Sequence, residues 1–222
     1  MRLYYHPLSS NSRRVLLTAY HLGLDLELIV VDLSSGQQKT PDYLRLNPNG
    51  RVPLLVDEGF VLWESHAIMQ YLADRSPGQD IYPQDLSARA DVNRWLFWSA
   101  YHFAPAAGLI IRERVSKKIV AGSGAPDPLE IARGEAQFPA VALVLDRHLA
   151  GKQWIAQDRL TLADFAIAAP FGAVAGRRIR KSPGLVCARS ITRCVGEVEW
   201  VAVKRWPHPA FGYRALYDRK SA

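Results

Sequence analysis

Two short runs of residues near the N-terminus place hydroxyl and carboxylate groups where helices should begin. Ser9-Ser10-Asn11-Ser12 stands directly before an apolar helical pattern, and Glu64-Ser65 opens another one. Serine at such a position caps the first helical turn by accepting a backbone N–H, and the free N–H groups of a helix start also bind anions. The two runs therefore predict either plain helix caps or a site for an anionic ligand.

A proline lies between these runs, at the entrance to an apolar strand. Arg51-Val52-Pro53 follows turn residues and leads into Leu54-Leu55-Val56, which makes the Val52–Pro53 bond a candidate for the cis form. The backbone before such a proline is free to pair with an extended peptide. A free backbone edge beside a helix N-terminus can hold a short peptide that carries a carboxylate.

The first 75 residues alternate between strand and helix patterns. Short apolar, aromatic or β-branched runs predict strands, and an apolar period of about 3.6 residues predicts helices. The predicted strands are Arg2–His6, Leu26–Asp32, Val52–Val56 and Phe60–Leu62, the predicted helices are Ser12–Leu22 and Ser65–Ala73, and Ser34–Asn49 is polar and turn-rich. The last two strands flank Asp57-Glu58-Gly59 and form a hairpin. The order β-α-β-α-β-β-α is that of an α/β thioredoxin-like domain.

The chain becomes helical throughout after a short linker. Ser76-Pro77-Gly78-Gln79-Asp80 has the composition of a linker, and helices are predicted over Ser87–Phe103, Pro128–Leu149 and from Leu160 onward. We therefore expect three parts: residues 1–76, a linker at 77–86 and an all-α domain over 87–222.

The last predicted helix has a recognisable start. Thr161 and Asp164 have the spacing of a capping box, and Leu160 and Phe165 have that of a hydrophobic staple. This pattern predicts a structural role for the segment and no chemistry.

The composition is that of an ordinary globular protein. Of the 222 residues, 49% are hydrophobic and 22% are charged, and no apolar run approaches the about 20 residues that a membrane span requires. Cysteine occurs only at Cys187 and Cys194, so no disulfide framework is indicated. The N-terminus lacks the apolar core of a signal peptide. A cytoplasmic protein with no membrane partner is the expectation.

The net charge of +7 is concentrated in the last part of the chain. Residues 177–222 hold 11 of the 28 basic residues but 3 of the 21 acidic ones. A nucleic-acid interface would need a basic face interleaved with aromatic or groove-reading groups, whereas Arg177-Arg178-Ile179-Arg180-Lys181 is a short cluster. We expect a solvated surface segment and no nucleic-acid partner.

Residues 1–75 resemble the glutathione-binding domain of glutathione transferases. The resemblance rests on four pieces in the same order, Leu3–Pro7, Ser9–Val15, Asn47–Leu55 and Trp63–Leu72. It extends over about the first three quarters of the chain and implies the family's fold, a thioredoxin-like α/β domain followed by an all-α domain. It ends at Gly176, so residues 177–222 are atypical, either as natural divergence or through an altered reading frame in the gene.

The resemblance implies a reaction at the start of the first helix. In the serine-using classes of the family (phi, theta and zeta look most similar), the serine before this helix stabilises the thiolate of bound glutathione, which is the nucleophile. The match assigns this role to Ser9, with Ser10 as the alternative if the alignment slips by one residue. Other classes use a tyrosine at the end of the first strand, which leaves Tyr5 as a minor candidate.

The resemblance also implies how the γ-glutamyl and cysteinyl parts of glutathione are held. Val52, next to a cis Pro53, would pair through its backbone with the cysteinyl part. Glu64 would contact the γ-glutamyl amine, and Ser65 with its N–H would contact the carboxylate. The other interpretation of Glu64-Ser65 is a simple helix cap.

The glycine end of glutathione has weaker candidates. Gln38 and Lys39 fall where the family binds the glycine carboxylate, and Arg51 stands where a glutamine is often found. Plain surface charge is the other interpretation of Lys39 and Arg51.

The second substrate would be apolar and electrophilic, bound between the two domains against the first long helix of the second one. Trp98 and His102 are the candidates from an aromatic-rich stretch, although aromatic residues at helical spacing more often belong to a core. The chemistry needs no metal and no base beyond thiolate activation, which favours a structural role for His102.

Three functions fit these expectations. A glutathione transferase, with glutathione as co-substrate, would conjugate the thiolate to hydrophobic electrophiles in detoxification. An isomerase of the maleylacetoacetate type ranks second, because Asn11 stands where the zeta-class motif has a cysteine. A non-catalytic glutathione-binding protein of the same fold is the third. Family members are usually homodimers, which is the expectation here.

Overall fold

The computed structural model describes residues 1–114, 116–118, 120 and 122–171. The atypical segment 177–222, with both cysteines and the basic cluster, lies outside the described residues. Within the described part, none of the helices combines the length and the apolar character needed to cross a membrane.

A four-stranded sheet forms the first part of the chain. Its strands are β1 (Arg2–Tyr5), β2 (Glu27–Val30), β3 (Leu54–Asp57) and β4 (Phe60–Trp63), in the order β2-β1-β3-β4. β1 pairs in parallel with β2 and antiparallel with β3. β3 and β4 form the predicted hairpin, and its turn has positive φ at Glu58 and Gly59.

Three helices accompany this sheet: α1 (Ser10–His21), α2 (Pro41–Leu46) and α3 (Ser65–Asp74). α1 and α3 contact each other, and Val15, Ile68 and Leu55 are fully buried in the core that they share with β3. The turn-rich segment before β3 forms a 3-10 turn at Gln37–Lys39 and then α2, which Thr40 caps with its side chain. The observed order confirms the thioredoxin-like expectation.

The rest of the described chain is helical, as expected. Its elements are α4 (Leu86–Trp98), a π-helical turn (Ser99–Phe103), α5 (Ala104–Arg114), a 3-10 turn (Ser116–Lys118), α6 (Pro128–His148), α7 (Leu162–Ala168) and a 3-10 turn (Ala169–Phe171). The helix predicted over Ser87–Phe103 therefore ends in π geometry, which sequence periodicity did not indicate.

The start of α7 carries the predicted capping box. The backbone N–H and the hydroxyl of Thr161 both donate to Oδ2 of Asp164, at 2.8 and 3.0 Å, and Oδ1 accepts the N–H of Ile155 at 2.9 Å. Burial raises the pKa of Asp164 to about 6, against the lowering effect of these hydrogen bonds. The box is confirmed, and it ties α7 to the segment before it.

Polar side chains join the sheet part to the helical part. Gln70 of α3 donates to the Tyr82 hydroxyl at 2.9 Å and to Oδ1 of Asn93 on α4 at 2.7 Å, and the Tyr82 hydroxyl donates to the same oxygen at 2.9 Å. α1 also packs against α7. The helices that begin at Ser10 and Ser65 are thus held against the helical part.

Candidate functional site

A mainly polar cavity of about 230 Å³ lies at the entrance to β3 and the start of α3. Its lining residues are Asn11, Asn47, Asn49, Arg51, Val52, Pro53, Trp63, Glu64 and Ser65. Five of the residues predicted to bind glutathione come together here: Arg51, Val52, Pro53, Glu64 and Ser65. Six other predicted residues are not among the lining residues: Ser9, Ser10, Gln38, Lys39, Trp98 and His102.

The β3 side of the cavity is built around a cis peptide bond. The Val52–Pro53 bond is cis, as predicted, and Val52 lies before the first paired residue of β3, outside the ladders with β1 and β4. The carbonyl oxygen of Arg51 accepts hydrogen bonds from Asn47 Nδ2 and from the Tyr43 hydroxyl, both at 2.8 Å. Two side-chain hydrogen bonds therefore fix the backbone immediately before Val52.

Glu64 lines the same cavity and has an unusual backbone conformation. It is the N-cap residue of α3, with φ 73° and ψ 110°, and a glutamate at positive φ is uncommon. Such backbone strain is concentrated at functional sites. The side chain of Glu64 is exposed, whereas Ser65 is buried at the first position of the helix. The first N–H groups of a helix lack intrahelical partners and can bind an anion.

The buried guanidinium of Arg14 contacts Ser65. Nη1 of Arg14 lies 3.4 Å from the Ser65 hydroxyl and 2.8 Å from Nε2 of His66. Burial lowers the pKa of Arg14 to about 10, with the charge of Glu64 acting in the opposite direction. Burial, followed by the charge of Arg14, lowers the pKa of His66 to about 3. At neutral pH the pair is therefore a guanidinium beside a neutral imidazole.

Ser9 is the N-cap residue of α1, and Ser10 is its first helical residue. The Ser9 hydroxyl accepts the N–H of Ser12 at 3.2 Å, and the Ser9 N–H donates to the carbonyl oxygen of His6 at 3.0 Å. A hydroxyl that accepts one hydrogen bond can still donate its own hydrogen. Capping α1 and donating to a ligand sulfur are therefore compatible. Tyr5, the minor candidate, is buried in the core, and burial raises its pKa.

Lys39 and Gln38 lie beside the cavity rim rather than on its wall. A Cβ atom built on Gly50 would be 2.8 Å from Nζ of Lys39 and 2.9 Å from the carbonyl oxygen of Gln38. Gly50 stands between Asn49 and Arg51, which both line the cavity. The ammonium group of Lys39 therefore lies next to Gly50, between two residues that line the cavity.

The aromatic candidates on α4 and the π-helical turn form a separate cluster. The ring of Trp98 lies 5.2 Å from that of Trp95 and 5.7 Å from that of Phe103, both of which are buried. His102 is exposed, with its ring 6.4 Å from Trp98. These contacts attach Trp98 to the helical core, and its role toward a second substrate stays a prediction.

Comparison with known proteins identifies the family. Residues 1–74 match the family described as glutathione S-transferase, N-terminal domain. Glutathione S-transferase 3 of Zea mays is 38% identical to this chain over 191 residues, which are 85% of this chain and 84% of the relative. This chain belongs to the glutathione S-transferase family.

Other members of the glutathione S-transferase family match along most of their length. Glutathione S-transferase F10 of Arabidopsis thaliana is 33% identical over 165 residues, covering 73% of this chain and 75% of the relative. A delta-class glutathione transferase structure from Nilaparvata lugens has a TM-score of 0.75 at 32% identity, over 98% of each chain. These matches confirm the transferase fold and the family resemblance that the sequence indicated.

Sequence reasoning did not assign several residues of this transferase's cavity. Three asparagines and a tryptophan line it without having been predicted as site residues: Asn11, Asn47, Asn49 and Trp63. Arg14 was also missed. No local signal indicated Arg14, because residues adjacent in a helix, such as Arg14 and Val15, lie on different faces, and its contact Ser65 is 51 positions away.

Proposed function

We propose that this transferase conjugates the thiolate of glutathione to hydrophobic electrophiles. The observation that carries the proposal is one cavity lined both by Val52 and Pro53 at the entrance to β3 and by Glu64 and Ser65 at the start of α3. An extended peptide can pair with the free backbone at Val52, while the start of α3 binds its carboxylate. The names of the relatives, all glutathione S-transferases, support the same ligand.

In this proposal each end of glutathione has its own partners. The cysteinyl part pairs with the Val52 backbone, the γ-glutamyl amine contacts Glu64, and the γ-glutamyl carboxylate contacts Ser65. Lys39, with Gln38 beside it and Arg51 on the lining, binds the glycine carboxylate at the rim. The charges suit this peptide, which carries an ammonium group and two carboxylates, because Glu64 and Arg51 on the lining have opposite charges and Lys39 beside the lining is cationic.

Ser9 is proposed to supply the chemistry. An ordinary thiol has a pKa of about 8.5 and is mostly protonated at neutral pH. A hydroxyl that donates a hydrogen bond to sulfur stabilises the thiolate, and the N-terminus of α1 adds a favourable dipole. The thiolate then attacks an electrophilic carbon, and a carbon–sulfur bond forms as the leaving group departs. The apolar partner would lie near Trp98 and His102.

The test of this function is the pair of variants Ser9→Ala and Ser10→Ala. We expect Ser9→Ala to lower turnover with an aryl halide by at least about tenfold, the range of one lost charge-assisted hydrogen bond, while calorimetry shows glutathione binding largely retained. Ser10→Ala should stay near wild type. Equal turnover of Ser9→Ala and wild type would refute the role of Ser9.

Two further assays separate the alternative functions. Cis-trans isomerisation of an unsaturated dicarboxylic diketone, without aryl halide turnover, would indicate the isomerase. Tight glutathione binding without either activity would indicate a binding protein. We also propose that the protein is a homodimer in the cytoplasm. Its chain would consist of a glutathione domain at residues 1–76, a linker at 77–86 and a helical domain from residue 87.

A further inference from the structure

Asn11 is an exposed residue at the start of a buried helical stretch. It is the second residue of α1, two positions after the N-cap residue Ser9, and residues 12–19 that follow it are all buried. The structure describes the whole of α1, and within this helix Asn11 is the residue that lines the cavity. Asn11 is therefore the point at which α1 contacts the cavity.

The side chain of Asn11 differs from those of the other two lining asparagines. Nδ2 of Asn47 donates to the carbonyl oxygen of Arg51, and Oδ1 of Asn47 accepts the N–H and the side-chain amide of Asn49. The side chain of Asn11 makes no hydrogen bond to the residues that the structure describes. A primary amide carries two N–H donors. At Asn11 both donors are thus available to a ligand.

The neighbours of Asn11 indicate which ligand atom its amide faces. In the proposed function, the cysteinyl part of glutathione pairs with Val52 and its sulfur accepts the hydrogen of the Ser9 hydroxyl. Val52 lines the same cavity as Asn11, and Ser9 caps the helical turn to which Asn11 belongs. The sulfur would therefore lie between the entrance to β3 and the first turn of α1. A serine hydroxyl has a single hydrogen to donate, which leaves room for a second donor to the thiolate.

We propose that Asn11 is a second catalytic residue, whose side-chain amide donates a hydrogen bond to the glutathione thiolate beside the one from Ser9. The proposal rests on the proposed function, since it assumes glutathione in the cavity. The thiol proton goes to solvent, because the neutral amide of Asn11 donates and does not act as a base. A hydrogen bond to the charged form of an acid lowers its pKa. The bound thiol should therefore be more acidic with both donors than with Ser9 alone.

The experiment measures the pKa of the bound thiol from the ultraviolet absorbance of the thiolate, at saturating glutathione over a range of pH. In wild type this pKa should lie clearly below that of free glutathione. In Asn11→Ala it should rise by about one unit, with up to about a tenfold loss of thiolate below the pKa. Asn11→Asp should raise it at least as much, because an ionised carboxylate cannot donate and repels the thiolate.

Asn11→Asp also separates this role from a structural one. An acidic residue in the first turn stabilises a helix, so urea unfolding of Asn11→Asp should show no loss of stability while its bound thiol becomes less acidic. Ser87→Asp is the matched control. Ser87 is likewise exposed and the second residue of its helix, α4, and it does not line the cavity. The control should keep the wild-type thiol pKa.

An unchanged thiol pKa in both Asn11 variants, with the wild-type value still below that of free glutathione, would overturn the role of Asn11 and leave the proposed function intact. An equal rise in Ser87→Asp and Asn11→Asp would also contradict the proposal, because added charge alone would then explain the shift. If Asn11→Ala does not fold, Asn11→Asp decides. Wild type whose bound thiol titrates like free glutathione would instead refute the proposed function.

Discussion

Arg13 on α1 donates a hydrogen bond through Nη1 to the carbonyl oxygen of Ala169 at the end of α7, over 2.7 Å. Arg13 is 7% exposed and Ala169 is buried, so the bond is shielded from water. Arg13 therefore contacts α7, whereas the next residue, Arg14, contacts Ser65 on α3. Arg13 ties the helix that follows Ser9 to the helical part of the protein.

Replacing Arg13 should loosen this connection. Arg13→Met keeps an apolar stem but removes the donor, so the buried carbonyl oxygen of Ala169 loses its partner. We expect the free energy of unfolding to fall by about 1–3 kcal/mol, measured by urea unfolding. Arg45→Met, at an exposed position, should change it by less than about 0.5 kcal/mol. Equal losses in the two variants would argue against the connection.

Acid should destabilise the protein through His66. Its pKa is about 3 in the folded state, because burial and the charge of Arg14 disfavour the imidazolium, against about 6.5 in the unfolded chain. The folded pKa is the lower one, so this stability is present above pH 6.5 and is lost as pH falls toward 3, because the unfolded state binds the proton first. Between pH 7 and pH 5 the loss should be about 2 kcal/mol.

A pair of histidine variants isolates this effect. His66→Gln cannot titrate at this position, so its free energy of unfolding should fall less between pH 7 and pH 5 than that of wild type. His102→Gln, at an exposed position, should follow the wild-type curve. The prediction fails if both variants show the same pH dependence in denaturant titrations.

Gly50 should tolerate no side chain. Its φ is 57°, and an added Cβ atom would meet Nζ of Lys39 at 2.8 Å and the carbonyl oxygen of Gln38 at 2.9 Å. Gly36 has a similar φ of 77° but nothing within 4 Å. Gly36→Ala should therefore cost only the backbone strain of about 1–2 kcal/mol, and Gly50→Ala should cost more and weaken glutathione binding. Thermal unfolding and calorimetry of the two variants test this, and equal costs would contradict it.

Asn47 should hold the neighbouring lining residues of the cavity in place. Its Nδ2 donates to the carbonyl oxygen of Arg51, and its Oδ1 accepts both the N–H and the side-chain amide of Asn49. Asn47→Ala should lower the free energy of unfolding by about 1–3 kcal/mol and raise the Kd for glutathione. Asn49→Ala leaves the bond to Arg51 intact and should have the smaller effect on both measurements. A larger effect of Asn49→Ala would show that the Arg51 bond is unimportant.

The strands, the helices around them and the capping box could be predicted from the sequence because their signals are local. Thr161 and Asp164 are three positions apart, and the hairpin strands flank the two-residue turn Glu58-Gly59. The cis bond at Pro53 could be predicted for the same reason, with the family resemblance in support. Local spacing also predicted Glu64 and Ser65 at the start of α3, although their contacts with glutathione stay a proposal.

The residues that were missed depend on contacts between distant segments. Arg14 is recognisable as part of the site only once α3 places Ser65 and His66 against it, 51 and 52 positions later. Asn11 lines the cavity together with residues from the segment before β3 and from the start of α3, which no spacing within α1 indicates. The sequence also does not show which aromatic residues of this helical stretch are buried. In the structure Trp95 is buried, whereas Phe97 and Tyr101 are exposed.

Hydrogen bonds between its own residues hold the turn from His6 to Ser12. The N–H of His6 donates to the hydroxyl of Ser12, the N–H of Leu8 to Nδ1 of His6, and the N–H of Ser12 to the hydroxyl of Ser9. The orientation of the Ser9 oxygen is therefore set during folding, before any peptide arrives. If Ser9 donates to the glutathione sulfur as proposed, this donor needs no rearrangement, and the entropic cost of organising this part of the site is absent from the binding step.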